Sequence, residues 1–380
     1  MNAYTENRLI EEALSLVEEK RFNLVQEIGS RSNDIYSSSS RFDLEADRVI
    51  SVLPHAIAHV SEIPRPFDFL TRQIAGHSLL ITRNEEGQVQ AFRNVCRHRG
   101  MELVGQVKGC KRRFTCPYHA WTYDVEGELV SAPHFHEGFP QLDKGTLGLV
   151  KLPTLELGGF VWSCLSTETT AEQIKESLAL LEGDLNWLDL PDLEVAAETT
   201  LDIHANWKLL VEGGLEAYHF KVAHRDTIAP YFNDNQSTYE LLGDHIRSVL
   251  VRTSFAKLAA TAKPEWRLRD QAYLLYTLLP TSQLLVQQDH VVWIQSTPAA
   301  ADRTQLRLVT LAENPDSQRE HWNKNHAITE ATLKEDFEIA EGIQRGLSAR
   351  HPQTFYFGRY EGALTAFNEL VERYLAEQPA

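Results

Sequence analysis

Between positions 96 and 119 the chain reads Cys96-Arg97-His98, seventeen further residues, then Cys116-Pro117-Tyr118-His119. Each short run offers one thiolate and one imidazole. Two cysteines on one iron and two histidines on the other make the ligand set of a 2Fe–2S cluster whose imidazoles raise its reduction potential. The imidazoles also couple that potential to protonation. Zinc is the competing reading, because two cysteines and two histidines also close a tetrahedral zinc site. Zinc sites usually group like ligands, whereas each run here mixes the two types, so the cluster is favoured. Gly100 lets backbone N–H groups approach the cluster sulfurs, one of the levers on potential.

A second constellation lies later, in Asn206-Trp207-Lys208 through His219 and His224. Five steps along a helix rotate a side chain by about 140°. His219 and His224 therefore face one metal only if the helix ends or unwinds near His219. A carboxylate would complete a two-histidine, one-carboxylate triad, which leaves positions open on Fe(II). The acidic run Lys334 to Glu341 offers Glu335 and Asp336, although such a run is more often a solvated helix face.

Elements must hold these groups in place. The sequence predicts an amphipathic helix, or two short ones, over 7–29, with Leu9, Ile10, Ala13, Leu14 and Leu16 at helical spacing. A polar connector from Ser30 to Arg41 follows. Short strands and turns fill Val49 to Leu165, an all-β pattern with the four ligands at hairpin tips. Glu168 to Leu188 reads as a charged helix. Beyond it, strands are expected at Thr199 to Lys208, Arg247 to Val251, Ala272 to Leu279, Leu284 to Gln288, Val291 to Thr297 and Gln305 to Leu311. Asp289-His290 stands where a two-residue hairpin turn belongs. A long helix begins near Asn314, with Asp316 or Ser317 as its cap. The fold class is α+β, divided as a helical segment over 1–45, a cluster domain over 46–166 and an antiparallel-sheet-plus-helices domain over 167–380.

Composition narrows the function. A formal net charge of −16 argues against a nucleic-acid surface. With two of the four cysteines used by the cluster, no disulfide framework remains, which fits a reducing compartment. Cys110 is expected in a loop or buried, and Cys164 in the core. The N-terminus reads as a charged helix and not a signal segment, and no run approaches the ~20 apolar residues of a membrane span. A cytoplasmic protein, bound to neither membrane nor nucleic acid, is expected.

Taken together, Cys96-Arg97-His98-Arg99-Gly100, Cys116-Pro117-Tyr118-His119-Ala120-Trp121 and Asn206-Trp207-Lys208 through His224 resemble the catalytic α subunit of the Rieske non-haem iron oxygenases. The likeness spans about residues 45–375. It implies an N-terminal Rieske domain and a helix-grip, START-like catalytic domain. It implies a 2Fe–2S cluster on Cys96, His98, Cys116 and His119. Mononuclear Fe(II) would be held by His219, His224 and Asp336, with Glu335 as the alternative third ligand. It makes Glu216 the carboxylate bridge between a Rieske histidine of one subunit and an iron-ligand histidine of the next. The glutamate, in a Glu-x-Tyr-His setting, resembles the carnitine and betaine branch, since ring-hydroxylating members mostly carry aspartate there. Glu212-Gly213 departs from a common Glu-Asn pair. Met101 and Tyr118 stand where respiratory Rieske proteins carry a disulfide.

The resemblance implies a terminal oxygenase that uses O2 and electrons from an NAD(P)H-dependent reductase, with or without a ferredoxin. A head-to-tail homotrimer is implied as well. Monooxygenation of a quaternary ammonium or N-methyl amine is the leading expectation, and dihydroxylation or hydroxylation of an aromatic ring compound the alternative. An electron-carrying Rieske protein without oxygenase activity is the alternative of another class. Trp266, Tyr273, Tyr276, Trp293, Phe355, Tyr356 and Phe357 are candidate pocket residues, since aromatic rings suit either substrate.

Overall fold

The computed structural model describes residues 1–347 and 353–376. The chain divides into two compact units, one of Ser51–Ser177 and one joining Met1–Ile50 to Leu178–Ala380.

The contiguous unit is built from short antiparallel strands. Five of them run in the order Lys151–Leu152, Val89–Arg93, His77–Arg83, Asp68–Ile74 and Lys108–Cys110. Two three-stranded sheets complete it, one of them Arg113–Thr115, Thr122–Asp124 and Leu129–Ser131. Phe69, Phe92, Phe114, Trp121 and Tyr123 pack in the core together with Cys96 and Cys116. One turn is fixed by its glycine. Gly127 has φ +80°, and a Cβ there would lie 2.6 Å from the Phe92 ring, so only glycine closes this hairpin over the core. Cys164 is buried, whereas Cys110 is exposed on its strand and not buried or in a loop.

The discontinuous unit centres on a seven-stranded antiparallel sheet. Its strands run Glu194–Ile203, Arg303–Ala312, His290–Ala300, Ser282–Val286, Ala272–Leu278, His245–Arg252 and Phe232–Leu242. The 29-residue helix Arg319–Leu347 packs on this sheet with the helix Trp207–Gly214 beside it. Ile203, Leu209, Leu210, Ile294, Leu306 and Phe337 interdigitate between them. This sheet wrapped on a helix is the expected helix grip.

Several local readings shift. The first helix is Ala3–Glu18, capped by Asn2, and the chain beyond it is not helical to 29. The serine-rich connector is structured: Gly29–Ser32 pairs with Thr354–Phe357, and Ser38 caps the helix Ser39–Glu45. The strand expected to reach Lys208 stops at Ile203, because the Asn206 side chain accepts the Lys208 N–H at 3.0 Å and starts a helix. The hairpin turn lies one residue earlier than expected, at Gln288-Asp289. Val286 pairs with Val291, and His290 already belongs to the next strand. Before the long helix the entry residue is Asn314, at φ +43°, leading into a 3-10 turn over Pro315–Gln318.

A buried ion pair ties the N-terminal segment to the helix Trp207–Gly214. Lys208 and Glu45 are both fully buried, with Nζ 2.8 and 2.7 Å from the two carboxylate oxygens. Trp207 Nε1 and Arg41 Nε donate to the same carboxylate at 3.0 and 2.9 Å. Removing one partner of such a pair strands the other charge and costs about 3–5 kcal/mol. Lys208→Ala is therefore expected to lower unfolding stability by about that amount. Denaturant titration measures it, and a loss below about 1 kcal/mol would show that the pair is dispensable.

Candidate active site: a cluster loop pair and a metal triad

The two cluster runs fold into matched loops. Gly100 N–H donates to Cys96 O at 3.0 Å, and Ala120 N–H to Cys116 O at 3.0 Å. Cys96 N–H donates to Met101 O and Cys116 N–H to Trp121 O, both at 2.8 Å. Gly100 at φ +74° and Ala120 at φ +57° turn each loop back in the same way. Equal ring sizes in both loops place the two thiols side by side in the core.

Aromatic rings and one phenol fix the side chains. His98 stacks on Trp121 with centroids 4.9 Å apart, and His119 lies 3.7 Å from the Tyr118 ring. The two imidazoles are 4.6 Å apart. Tyr123 Oη accepts the Arg97 N–H at 3.0 Å, which leaves its own proton for Cys96 Sγ at 3.5 Å. Burial pushes the Cys96 thiol up, and the Tyr123 hydrogen bond opposes that by favouring thiolate. His98 Nδ1 is buried and has no hydrogen-bond partner among the described residues. An unpaired ring nitrogen beside two buried sulfurs is what a 2Fe–2S cluster would satisfy, so the donor set fits. Tyr123 was not anticipated as a site residue; the sequence shows it only as part of a β-favouring run.

The helix Trp207–Gly214 ends before the histidines, and a separate four-residue helix, Phe220–Ala223, has His219 and His224 at its two ends. This break supplies what their spacing demanded. Their Nε2 atoms converge to 3.2 Å, and Asp336 Oδ1 lies 2.9 Å from that of His224 and 3.2 Å from that of His219. The three candidate ligand atoms all fall within 4.8 Å of one another. Glu335, the alternative ligand, is turned elsewhere: its Oε2 lies 2.6 Å from His224 Nδ1 and accepts Thr227 Oγ1–H at 2.8 Å. Glu216 takes the matching place on His219, with Oε1 on Nδ1 and Oε2 accepting the His219 N–H at 3.1 Å. Each imidazole thus has a carboxylate on its outer nitrogen, which leaves Nε2 free to ligate.

Charge follows from this geometry. Burial pulls the His219 pKa down, but the hydrogen bonds its ring donates to Asp336 and Glu216 outweigh it and push it up to about 9. His224 is likewise raised, by Asp336 and then Glu335 against the pull of burial. A field that attracts a proton so strongly also suits a divalent cation, and the two compete. Nearby, Glu212 accepts Tyr36 Oη–H at 2.9 Å and Asn368 Nδ2–H at 2.8 Å. Asn368 lies on the C-terminal helix Gly362–Ala376.

Two cavities meet at the triad. One of about 170 Å³ is bounded by His219, His224 and Asp336 and by the rings of Phe220, Phe232, Tyr273 and Phe337. A wider one of about 450 Å³ touches His219, Asp336 and Glu216 and is lined by Phe355, Tyr356 and Phe357. Trp266, Tyr276 and Trp293 line neither cavity. They are core residues whose polar atoms donate to Leu258 O, Asp184 and Ser282 at 3.0, 2.9 and 3.4 Å. The sequence missed Phe220, Phe232 and Phe337, of which the first and last adjoin ligand candidates.

Comparison with known proteins finds a domain of each kind. Residues 54–154 match the model of the Rieske [2Fe-2S] domain, and residues 190–377 that of the ring hydroxylating alpha subunit (catalytic domain). The chain is 27% identical over 393 residues to a glycine betaine monooxygenase oxygenase subunit of Chromohalobacter salexigens, covering 91% of this chain and 86% of that one. It is 27% identical over 320 residues to a carnitine monooxygenase oxygenase subunit of Acinetobacter pittii, covering 83% and 84%. A solved quaternary ammonium Rieske monooxygenase superposes with a TM-score of 0.76 at 25% identity, over 93% of this chain and 95% of that one. Naphthalene 1,2-dioxygenase from Rhodococcus sp. shares the fold, with a TM-score of 0.75 at 19% identity, over 98% and 99%. Among the described residues no helix is long and apolar enough to cross a membrane. Two successive domain models in the order the motifs required, and a fold shared along nearly the whole length, place this chain among the Rieske non-haem iron oxygenases, as a catalytic α subunit that takes its electrons from a separate reductase.

Proposed function

We propose that this α subunit hydroxylates a quaternary ammonium or N-methyl amine substrate by monooxygenation. Cys96, His98, Cys116 and His119 would hold its cluster and His219, His224 and Asp336 its iron. The convergence of two Nε2 atoms and one carboxylate oxygen on the wall of a cavity carries the reading. The relatives named for glycine betaine and carnitine support the substrate type. When bound, the iron supplies open coordination positions for O2 activation, and the cluster supplies one-electron reduction.

The side chains do the positioning. Glu216 and Glu335 hold His219 and His224 in the tautomer that presents Nε2. The aliphatic and aromatic walls of the smaller cavity exclude water around the substrate. Glu216 is also the residue we assign to the junction with a neighbouring protomer in a head-to-tail trimer. The solved quaternary ammonium monooxygenase, described with inter-subunit electron transfer, supports that assignment. A cytoplasmic location and an NAD(P)H-dependent reductase partner, with or without a ferredoxin, complete the proposal. Hydroxylation of an aromatic ring is the second reading, favoured by the cavity's mostly apolar lining.

Metal analysis joined to oxygen uptake tests the class. About three irons per chain, and reductase-dependent O2 consumption stimulated by a trimethylammonium compound, are expected. Two irons and no uptake would indicate an electron carrier, and zinc without visible absorption would overturn both.

A further inference from the structure

The cavity beside the triad is lined, apart from its two histidines, by neutral and acidic groups and by no cationic side chain. Among the described residues that line it there is no lysine or arginine, and the only carboxylate is Asp336. Gln283, one of its few polar groups, spends Nε2 on Val211 O and Thr277 Oγ1, both at 3.1 Å, so it offers the cavity only an acceptor oxygen. Four aromatic rings line the same space, and aromatic faces attract cations; Arg252, which is not in the lining, already lies 5.5 Å from the Tyr273 ring centroid. Phe220, Phe232 and Tyr273 form a connected edge-to-face series with centroids 5.4 and 5.2 Å apart. At the metal end a divalent cation would meet three carboxylates, Asp336 with Glu216 and Glu335 on the outer nitrogens, so no net positive charge is left over for an anion.

From this arrangement we infer that the cavity takes cationic or uncharged substrates and rejects those that carry a carboxylate. The inference rests on the reading that this cavity binds the substrate, and it narrows the class. Glycine betaine and carnitine, for which the relatives are named, are zwitterions with a carboxylate that would find no cation here. An ionised carboxylate buried among neutral groups such as Gln287, Ser296 and Thr329, with no cation to pair it, is penalised, whereas a trimethylammonium group against aromatic faces is not. The substrate is a quaternary ammonium, an N-methyl amine or a neutral ring compound without an acid group.

Matched pairs that differ by the acid group test this on the loaded holoenzyme, by calorimetric binding and by reductase-coupled O2 uptake. Butyltrimethylammonium is compared with γ-butyrobetaine, and benzamide with benzoate. In each pair the carboxylate-free member is expected to bind at least about tenfold more tightly. Equal or tighter binding of the acid in either pair would overturn the inference while leaving the oxygenase reading in place. No binding by any of the four would overturn the assignment of this cavity to the substrate, and with it the proposed substrate type. A lining variant, Leu250→Arg, adds the missing cation and is expected to narrow the gap between pair members. An unchanged gap would show that charge is not what excludes the acid.

Discussion

Asp336→Ala is expected to abolish oxygenase activity by emptying the mononuclear site alone. Iron should fall from about three to about two per chain, with the visible absorption of the cluster unchanged. The cause is geometric: among the described residues only Asp336 brings an oxygen to the side where both Nε2 atoms converge. Its neighbour gives the contrast. Glu335→Gln removes the carboxylate from His224 Nδ1 but no ligand, so metal should bind about 10–100-fold more weakly, not vanish. Titration of metal-free protein with Co(II), followed by its visible bands, reads this directly. Equal losses in the two variants would refute the division of labour. The same titration in wild type should tighten as pH rises towards about 9, because the proton that Asp336 and Glu216 hold on His219 must leave before metal binds.

Glu216→Gln is expected to separate metal binding from turnover. Both centres should still fill when metal is in excess, since Glu216, like Glu335, supports an outer nitrogen and offers no atom to the convergent side of the triad; iron affinity alone falls as for Glu335→Gln. Glutamine keeps a hydrogen-bonding group near His219 Nδ1 but loses the negative charge that favours a proton there. Turnover should drop by about 10–100-fold, and single-turnover oxidation of the reduced cluster should slow with it. Normal cluster oxidation with slow product formation would confine Glu216 to positioning His219 and remove it from the junction between protomers.

What the sequence disclosed follows the range of the forces involved. The cluster loops were legible because ligands, turn and hydrogen bonds all lie within a few residues, and the two loops repeat one pattern. The triad was half legible. His219 and His224 required a helix break, which the structure supplies, but nothing local decides between Glu335 and Asp336. That choice depends on how the long helix is rotated against the sheet, and Phe337 in the core fixes the rotation. Ser30 to Arg41 looked like a linker because its pairing partner, Thr354–Phe357, lies more than three hundred residues away. Trp266, Tyr276 and Trp293 looked like pocket residues because burial in a core and exposure to a cavity call for the same residue types.

The interruption of one unit by the other also bears on synthesis. Residues 51–177 are contiguous, so the cluster domain is complete when less than half the chain has been made. The iron unit must wait. Gly29–Ser32 finds its strand partner only at Thr354–Phe357, and Glu212 its amide only at Asn368. Domains emerging from the ribosome fold as units, N-terminal first. Cluster insertion thus has a window in translation before any place for mononuclear iron exists, and the order of maturation is written into the path of the chain.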